Sequence, residues 1–235
     1  MMDKKNLQLS SLINATPDMY QFLKDVIVSK ASVLFVDNNH TVSDACLEFA
    51  ISCLPAGERI VVLEPKIELQ LEKNHPNKNL RRISYGFDSE SLQFHLTSAI
   101  FRYCDTVFLS ELHSSAEVRA LIQAVNSGHQ VISRYSNSAS DSFIHSLIRL
   151  YQESSAGLSF GDAAEVIANA IDIIALCEST TTGYQMRNVI ELEVSEGEPV
   201  VRTIFENQRR INIISDKLYS KNPSQLSRWK QVGIE

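Results

Sequence analysis

Apolar positions along this chain switch repeatedly between a period near 3.6 and short continuous runs, which predicts helices alternating with buried strands. Met19, Phe22, Leu23, Val26 and Ile27 share one helical face. Thr16 and Pro17 suit the cap and first position of that helix, Asp18 suits its positive end, and it should stop near Ser29. Val33–Val36 reads as a buried strand that breaks into a polar turn. A helix with Ala45, Leu47, Phe49, Ala50, Ile51 and Leu54 inside follows. Residues 58–65 read as a second buried strand after a Pro55–Gly57 turn. The polar stretch 66–78, with Ile67, Leu69 and Leu71 alternating, allows a short exposed strand, and 79–86 allows another. Residues 89–104 form a helical pattern, and Thr106–Glu111 a strand ending on an acid. Residues 114–129 give the clearest helix, with Ser114 or Ser115 as cap, Glu117 in the first turn and Gly128 as terminator.

Residues 130–133 continue as a strand and 140–153 as an amphipathic helix carrying Phe143, Ile144, Leu147, Ile148 and Tyr151. A short helix after Gly161 leads into a strand at 171–179. Two more strands around a Glu196–Pro199 turn complete an antiparallel meander, and a last short helix near Pro223 is capped by Ser224 or a neighbour. Strand–helix alternation as far as about residue 160 implies an α/β fold, a mostly parallel sheet covered on both faces, with the meander at its carboxy-terminal side. No internal repeat or dividing linker is visible.

Composition narrows the reading. A net charge of −6 argues against a general nucleic-acid binder. No window approaches the roughly 18 apolar residues of a membrane span, and the amino terminus lacks the apolar centre of a signal peptide. Cys46, Cys53, Cys104 and Cys177 have no C-x-x-C spacing and sit in apolar segments, as core thiols of a reducing compartment would. His40, His75, His95, His113, His129 and His145 show no metal-ligand spacing, so neither metal nor cofactor is expected.

The stretch Ser32–Leu54 has the strand–turn–helix layout that cradles nucleotide phosphates, but not the chemistry. In the register Asp37–Asp44 of a G-x-x-x-x-G-K-[ST] loop, the glycines become Asp37 and Val42. The lysine becomes Ser43, and the magnesium-holding hydroxyl becomes Asp44. Only 8 glycines occur, against roughly 16 expected at about 7% usage, so no other Gly-rich loop can take over. Losing the lysine removes a contact of about 1.5–3 kcal/mol. A carboxylate about 4 Å from a phosphate adds about 4 kcal/mol of repulsion at an effective dielectric near 20. Micromolar and millimolar affinity differ by about 4 kcal/mol. Thr41 and Asp44 lie near capping-box spacing and would occupy the helix end themselves.

The order of these segments resembles the motor domain of the secretion traffic ATPases, which drive type IV secretion, type II secretion and type IV pili. LSSLINATPDMYQFLKDVIVSKASVLFV resembles the approach to the phosphate loop, ERIVVLEPKIELQL the acidic box, and TVFLSELHSSAEVRALIQAVNSGHQV the Walker B segment with its Gly-His pair. The resemblance runs from Leu9 over nearly the whole chain. It implies a RecA-like P-loop fold over residues 1–235 as one motor domain, beginning where the family has a linker after a separate amino-terminal domain. Glu64 matches the acidic box, with Pro65 in place of the next acid. Glu111 matches the Walker B glutamate, preceded by Ser110 and followed by His113 where arginine is usual. Gly128 and His129 match the Gly-His pair, and the catalytic-box histidine falls on Tyr135.

A vestigial nucleotide site would therefore comprise Asp37, Asn38, Asn39, His40, Thr41, Val42, Ser43, Asp44, Glu64, Glu111 and His129, with no catalytic residue. Glu64 and Glu111 read either as a leftover acidic pair or as two solvated carboxylates. His129, behind a helix end, suits a structural role. The pairs Arg81–Arg82 and Arg209–Arg210 read as contact or phosphate-sensing arginines, or as strand-edge surface charge. No G-x-S-x-G elbow supports a hydrolase. The expectation is a pseudo-ATPase, cytoplasmic or held at the inner membrane through a machine. Its partners would be secretion or pilus components, an active ATPase paralogue, or further copies of itself. The alternative is a divergent ATPase that needs a partner subunit to complete its site.

Overall fold

The computed structural model describes residues 13–37, 43–67, 70–102, 104–136, 143–155, 157–181 and 183–231. Their strands form one sheet. The strands are β1 (Ile13–Asn14), β2 (Val33–Asp37), β3 (Arg59–Glu64), β4 (Asn79–Ser84), β5 (Thr106–Leu109), β6 (Gln130–Ser136), β7 (Ile173–Thr180), β8 (Gly183–Ser195), β9 (Glu198–Glu206) and β10 (Arg209–Arg210). Their order is β10-β9-β8-β7-β2-β6-β5-β3-β4, with β1 beside β8. From β7 to β4 every neighbour is parallel, while β7–β8, β8–β9 and β9–β10 are antiparallel, as the meander predicted. β2 lies between β6 and β7, so successive crossovers leave it on opposite sides. That is a topological switch point, where open α/β sheets form a crevice beyond the strands' carboxyl ends.

The helices are α1 (Pro17–Val28), α2 (Ser43–Cys53), α3 (Leu71–Asn74), α4 (Ser89–Phe101), α5 (Ser115–Asn126), α6 (Phe143–Glu153), α7 (Phe160–Ala170), α8 (Asp216–Lys221) and α9 (Pro223–Lys230). One core lies under α1, α2, α8 and α9, where Phe22, Phe49, Leu218, Leu226 and Trp229 pack on Val33, Phe35 and Val62. The other lies under α4–α7, where Leu96, Leu121, Leu147 and Ile167 meet Leu34, Leu63 and Val107. All five residues of β2 are buried, which is why its sequence is a run rather than an alternation.

Local chemistry sets most boundaries as expected. Thr16 accepts from the Met19 amide, Pro17 opens α1, and the five apolar residues of its face are buried. Ser114 and Glu117 complete a reciprocal capping box on α5. Gly128, at φ +83, turns the chain out of α5 in a conformation that disfavours a side chain. Glu196 and Gly197 both have positive φ, so β8 and β9 join through a two-residue turn of the kind that matches strand twist.

Several elements differ from the sequence reading. Residues 71–74 are helical, not strand, and Leu71 is fully buried. His75 and Asn74 bond to Glu48 of α2, so one turn of helix docks there. β5 stops at Leu109, because Ser110 turns away after its amide bonds to Leu63. Glu111 therefore sits in the following loop. β6 runs on to Ser136, three residues further than expected, alongside Asp37. Asp88 caps α4, accepting from the Glu90 and Ser91 amides. Asn222 caps α9 by accepting from the Gln225 amide. β1, β10 and α8 were not foreseen. The start expected for α6 at 140–142 lies outside the described residues.

Candidate functional site

The candidate site is at the switch point, beyond the carboxyl ends of β2, β6 and β5 and beside the start of α2. Asp37, the last residue of β2, is buried and accepts from Ser136 Oγ at 2.9 Å. Asn38, Asn39, His40, Thr41 and Val42 lie outside the described residues, as does the Ser43 side chain. α2 begins at Ser43, so Asp44 is in its first turn.

The charge reading of this place needs correction. The turn offers acids without a cation in sequence, yet β6 supplies one from 90 residues away. The Arg134 guanidinium is only 16% exposed. It donates Nη1 to Asp44 Oδ1 at 2.5 Å and places Nη2 2.9 Å from Glu111 Oε2. Glu111 is buried and also has His113 Nε2 at 3.3 Å. The Leu112 amide bonds to the Arg134 carbonyl, fixing the Glu111 loop to the strand that carries its cation. Burial raises the Asp44 carboxyl above its usual range, Arg134 opposes this, and the charges of Glu111 and Glu48 add to it. Asp44 is thus paired with Arg134, while Thr41, its expected capping partner, lies outside the described residues.

Glu64, at the end of β3, is not a solvated carboxylate either. Arg82 of β4 grips it through Nε at 2.8 Å and Nη2 at 3.2 Å, with both side chains nearly buried. This also corrects the surface reading of Arg82, while Arg81 is exposed. Nearby, Tyr85 donates to Glu117 Oε1 at 3.0 Å. Its phenol is pushed far up by burial first and then by Glu117, Glu111 and Glu64, so it stays a proton donor. Tyr135, in the histidine position, is buried on β6, and burial raises its phenol too.

His129 does not join this site. It immediately precedes β6, whereas Arg134 and Ser136 lie at that strand's far end. The separation is about 20 Å along a seven-residue strand. Arg210 is not plain surface charge: Nη2 donates to the Trp229 and Gln231 carbonyls at 2.8 and 3.0 Å, tying off the end of α9, while Arg209 is exposed. All four cysteines are buried and free, and Cys46 Sγ lies 3.5 Å from Cys177 Sγ. Among the described residues no His/Cys/Asp/Glu group could hold a metal ion, and no helix is long and apolar enough to cross a membrane.

Sequence reasoning missed Arg134. Its signal was a lone arginine in an otherwise apolar and hydroxylic strand, QVISRYS, at a position the expected strand end excluded.

The sheet order, the switch point at β2 and the acids at the ends of β2 and β3 and in the loop after β5 fit the RecA-like class of α/β folds. Comparison with known proteins narrows this to the fold of the secretion traffic ATPases. The chain overlays the VirB11 ATPase of the Brucella suis type IV secretion system, in complex with sulphate, with a TM-score of 0.64. The identity is 16%, over 73% of this chain and 51% of that one. The Yersinia pseudotuberculosis ATPase DotB gives a TM-score of 0.57 at 14% identity, over 93% of this chain and 52% of that one. A probable conjugal transfer protein TrbB of Sinorhizobium fredii (strain NBRC 101917 / NGR234) is 28% identical over 155 residues, 65% of this chain and 44% of that protein. This chain thus spans about half the length of the proteins it matches. No protein-family model matches it.

Proposed function

We propose that this chain is a non-hydrolysing relative of the traffic ATPases that works by binding, as a structural or regulatory component of a secretion, conjugation or pilus machine. The observation that carries the proposal is the Arg134 bridge. The Arg134 guanidinium is held by Asp44 on one side and Glu111 on the other. A triphosphate would have to pull Arg134 from two carboxylates, each charge-assisted contact being worth about 1.5–3 kcal/mol. It would then meet Asp37, Asp44 and Glu111 together. This replaces the repulsion argument drawn from sequence, since Arg134 offsets part of Asp44's charge. The direction of the effect is unchanged. With its own ion pair in place, the crevice keeps its shape without nucleotide, which suits a subunit that contributes surface rather than turnover.

A second reading draws on the same arginine. If Arg134 swings from Asp44 to a phosphate, it replaces the missing lysine, and a partner subunit would have to supply the rest of the site. A phosphate-release assay separates the two. The chain alone, and the chain mixed with an active traffic ATPase from the same machine, are compared with Arg134→Ala in each setting. The favoured reading predicts no turnover by the chain alone and, under conditions where thermal melts show the variant folded, no effect of Arg134→Ala on turnover by the mixture. Turnover by the chain alone overturns it, as does mixed turnover that depends on Arg134.

A further inference from the structure

At the other end of the sheet, α4 arches over the amino ends of β3 and β4 and leaves a cleft of about 340 Å³. Its floor is apolar: Ile60, Val61, Ala99 and Cys104 are all buried. Its rim is cationic: Arg59, Arg81 and Arg102 line it with His95, and no carboxylate does. That is the reverse of the chain as a whole, whose net charge is −6. Arg59 is held by Asp105, with Nε 2.8 Å from Oδ2. Arg81 and Arg102 form no ion pair among the described residues, so their charges remain available to an incoming group. Phe94, a residue 68% exposed, lines one wall and continues into a shallow groove with Phe101 and Arg119. Arg59 and Asn79 are the first residues of their strands, and Glu64 and Ser84 the last. The cleft therefore lies a strand's length, about 20 Å, from the Arg134 site.

We propose that this cleft binds a small organic anion: a carboxylate or phosphate group on an apolar, single-ring body. The volume falls within the lower range of small-ligand pockets, and a dry floor under a few fixed polar groups is how such pockets select their ligands. The ring would lie on Ile60 and Ala99 against Phe94. The anion would meet Arg81 and Arg102, whose forked donors match carboxylate or phosphate oxygens. None of this depends on whether the chain hydrolyses ATP.

The test uses 1-anilinonaphthalene-8-sulfonate as an anionic aromatic reporter and N-phenyl-1-naphthylamine as its neutral counterpart, with the full chain in dilute buffer. The expected result is saturable one-to-one binding of the sulfonate, weakened at least tenfold by Arg81→Ala/Arg102→Ala and by Ser98→Trp, which fills the cleft. Thermal melts should show each variant folded. Benzoate and phenyl phosphate should displace the reporter, and their relative strength tells carboxylate from phosphate. Equal binding of the neutral dye overturns the proposal. So does reporter binding that both variants leave unchanged, or a failure of both small anions to compete. Loss of the site through self-association of the wild-type chain, seen by sedimentation, also overturns it.

Discussion

At the scale of single residues, charge partners decide what the candidate site is. Arg134→Ala leaves Glu111 buried without its guanidinium, a loss that typically amounts to about 3–5 kcal/mol. We expect a urea midpoint lowered accordingly, and partial recovery in Arg134→Met/Glu111→Gln, where both charges are gone. A neutral effect of Arg134→Ala would mean that the bridge is not holding the crevice. Asp105 offers a separate check with acid. Hydrogen bonds from Arg59 hold its carboxyl down from 3.8 to about 2. The pair's stabilisation is thus present above the unfolded value, about 3.9, and is lost as pH falls through about 2. Wild type should exceed Asp105→Asn in melting temperature at neutral pH, with the gap closing between about pH 4 and pH 2. Because the pair is partly exposed, the gap should be small and shrink in salt. The sequence identified the acids of the site but not their partners. Glu64 and Arg82, or Glu111 and Arg134, are brought together by strand pairing, which leaves no local mark in the chain.

At the scale of elements, caps and apolar faces were legible wherever the signal is local. Thr16–Pro17, the Ser114–Glu117 box and the Glu196–Gly197 turn each specify their own geometry within four residues. Where an element is defined by what it docks on, the pattern misled. The alternation of Ile67, Leu69 and Leu71 suggested a strand, but Leu71 is buried by one turn of helix that Glu48 anchors from α2. The carboxy-terminal helices are a further case. Buried Asp25 of α1 accepts from Gln21, Gln225 and the Trp229 indole at 2.7–2.9 Å and faces Arg228 Nη2 at 2.9 Å. Phe22 stacks edge-on against Trp229 at 5.0 Å, so α9 is pinned to α1 by one carboxylate and one ring contact. Asp25→Ala removes the acceptor for three buried or half-buried donors and an arginine. Leaving the buried Trp229 indole N–H without an acceptor should lower stability by about 1–3 kcal/mol and release α9 first. Trp229 is the sole tryptophan, so its emission reports this directly. A red shift at urea concentrations below the loss of helical ellipticity is expected, and coincident transitions would refute the idea of a separately held helix.

At the scale of the whole molecule, the α/β class, the covered parallel sheet and the closing meander followed from period and order alone, because buried strands and amphipathic helices write their burial into sequence. Strand order did not follow, and it places β6 beside β2. That neighbour relation brings Arg134 beside Asp44 at the start of α2 and sends His129 to the opposite end of the sheet. The two ends then divide the molecule chemically. The carboxyl end closes on itself with paired charges, while the amino end keeps an arginine-rimmed cleft in an otherwise acidic chain. The central claim concerns the first of these. Titration of the full chain with ATP and magnesium in an isothermal calorimeter tests it most directly. The account predicts no saturable heat up to about 1 mM nucleotide, because Arg134 is already engaged and three carboxylates face any phosphate that enters. Saturable binding in the micromolar range, abolished by Arg134→Ala, would contradict it.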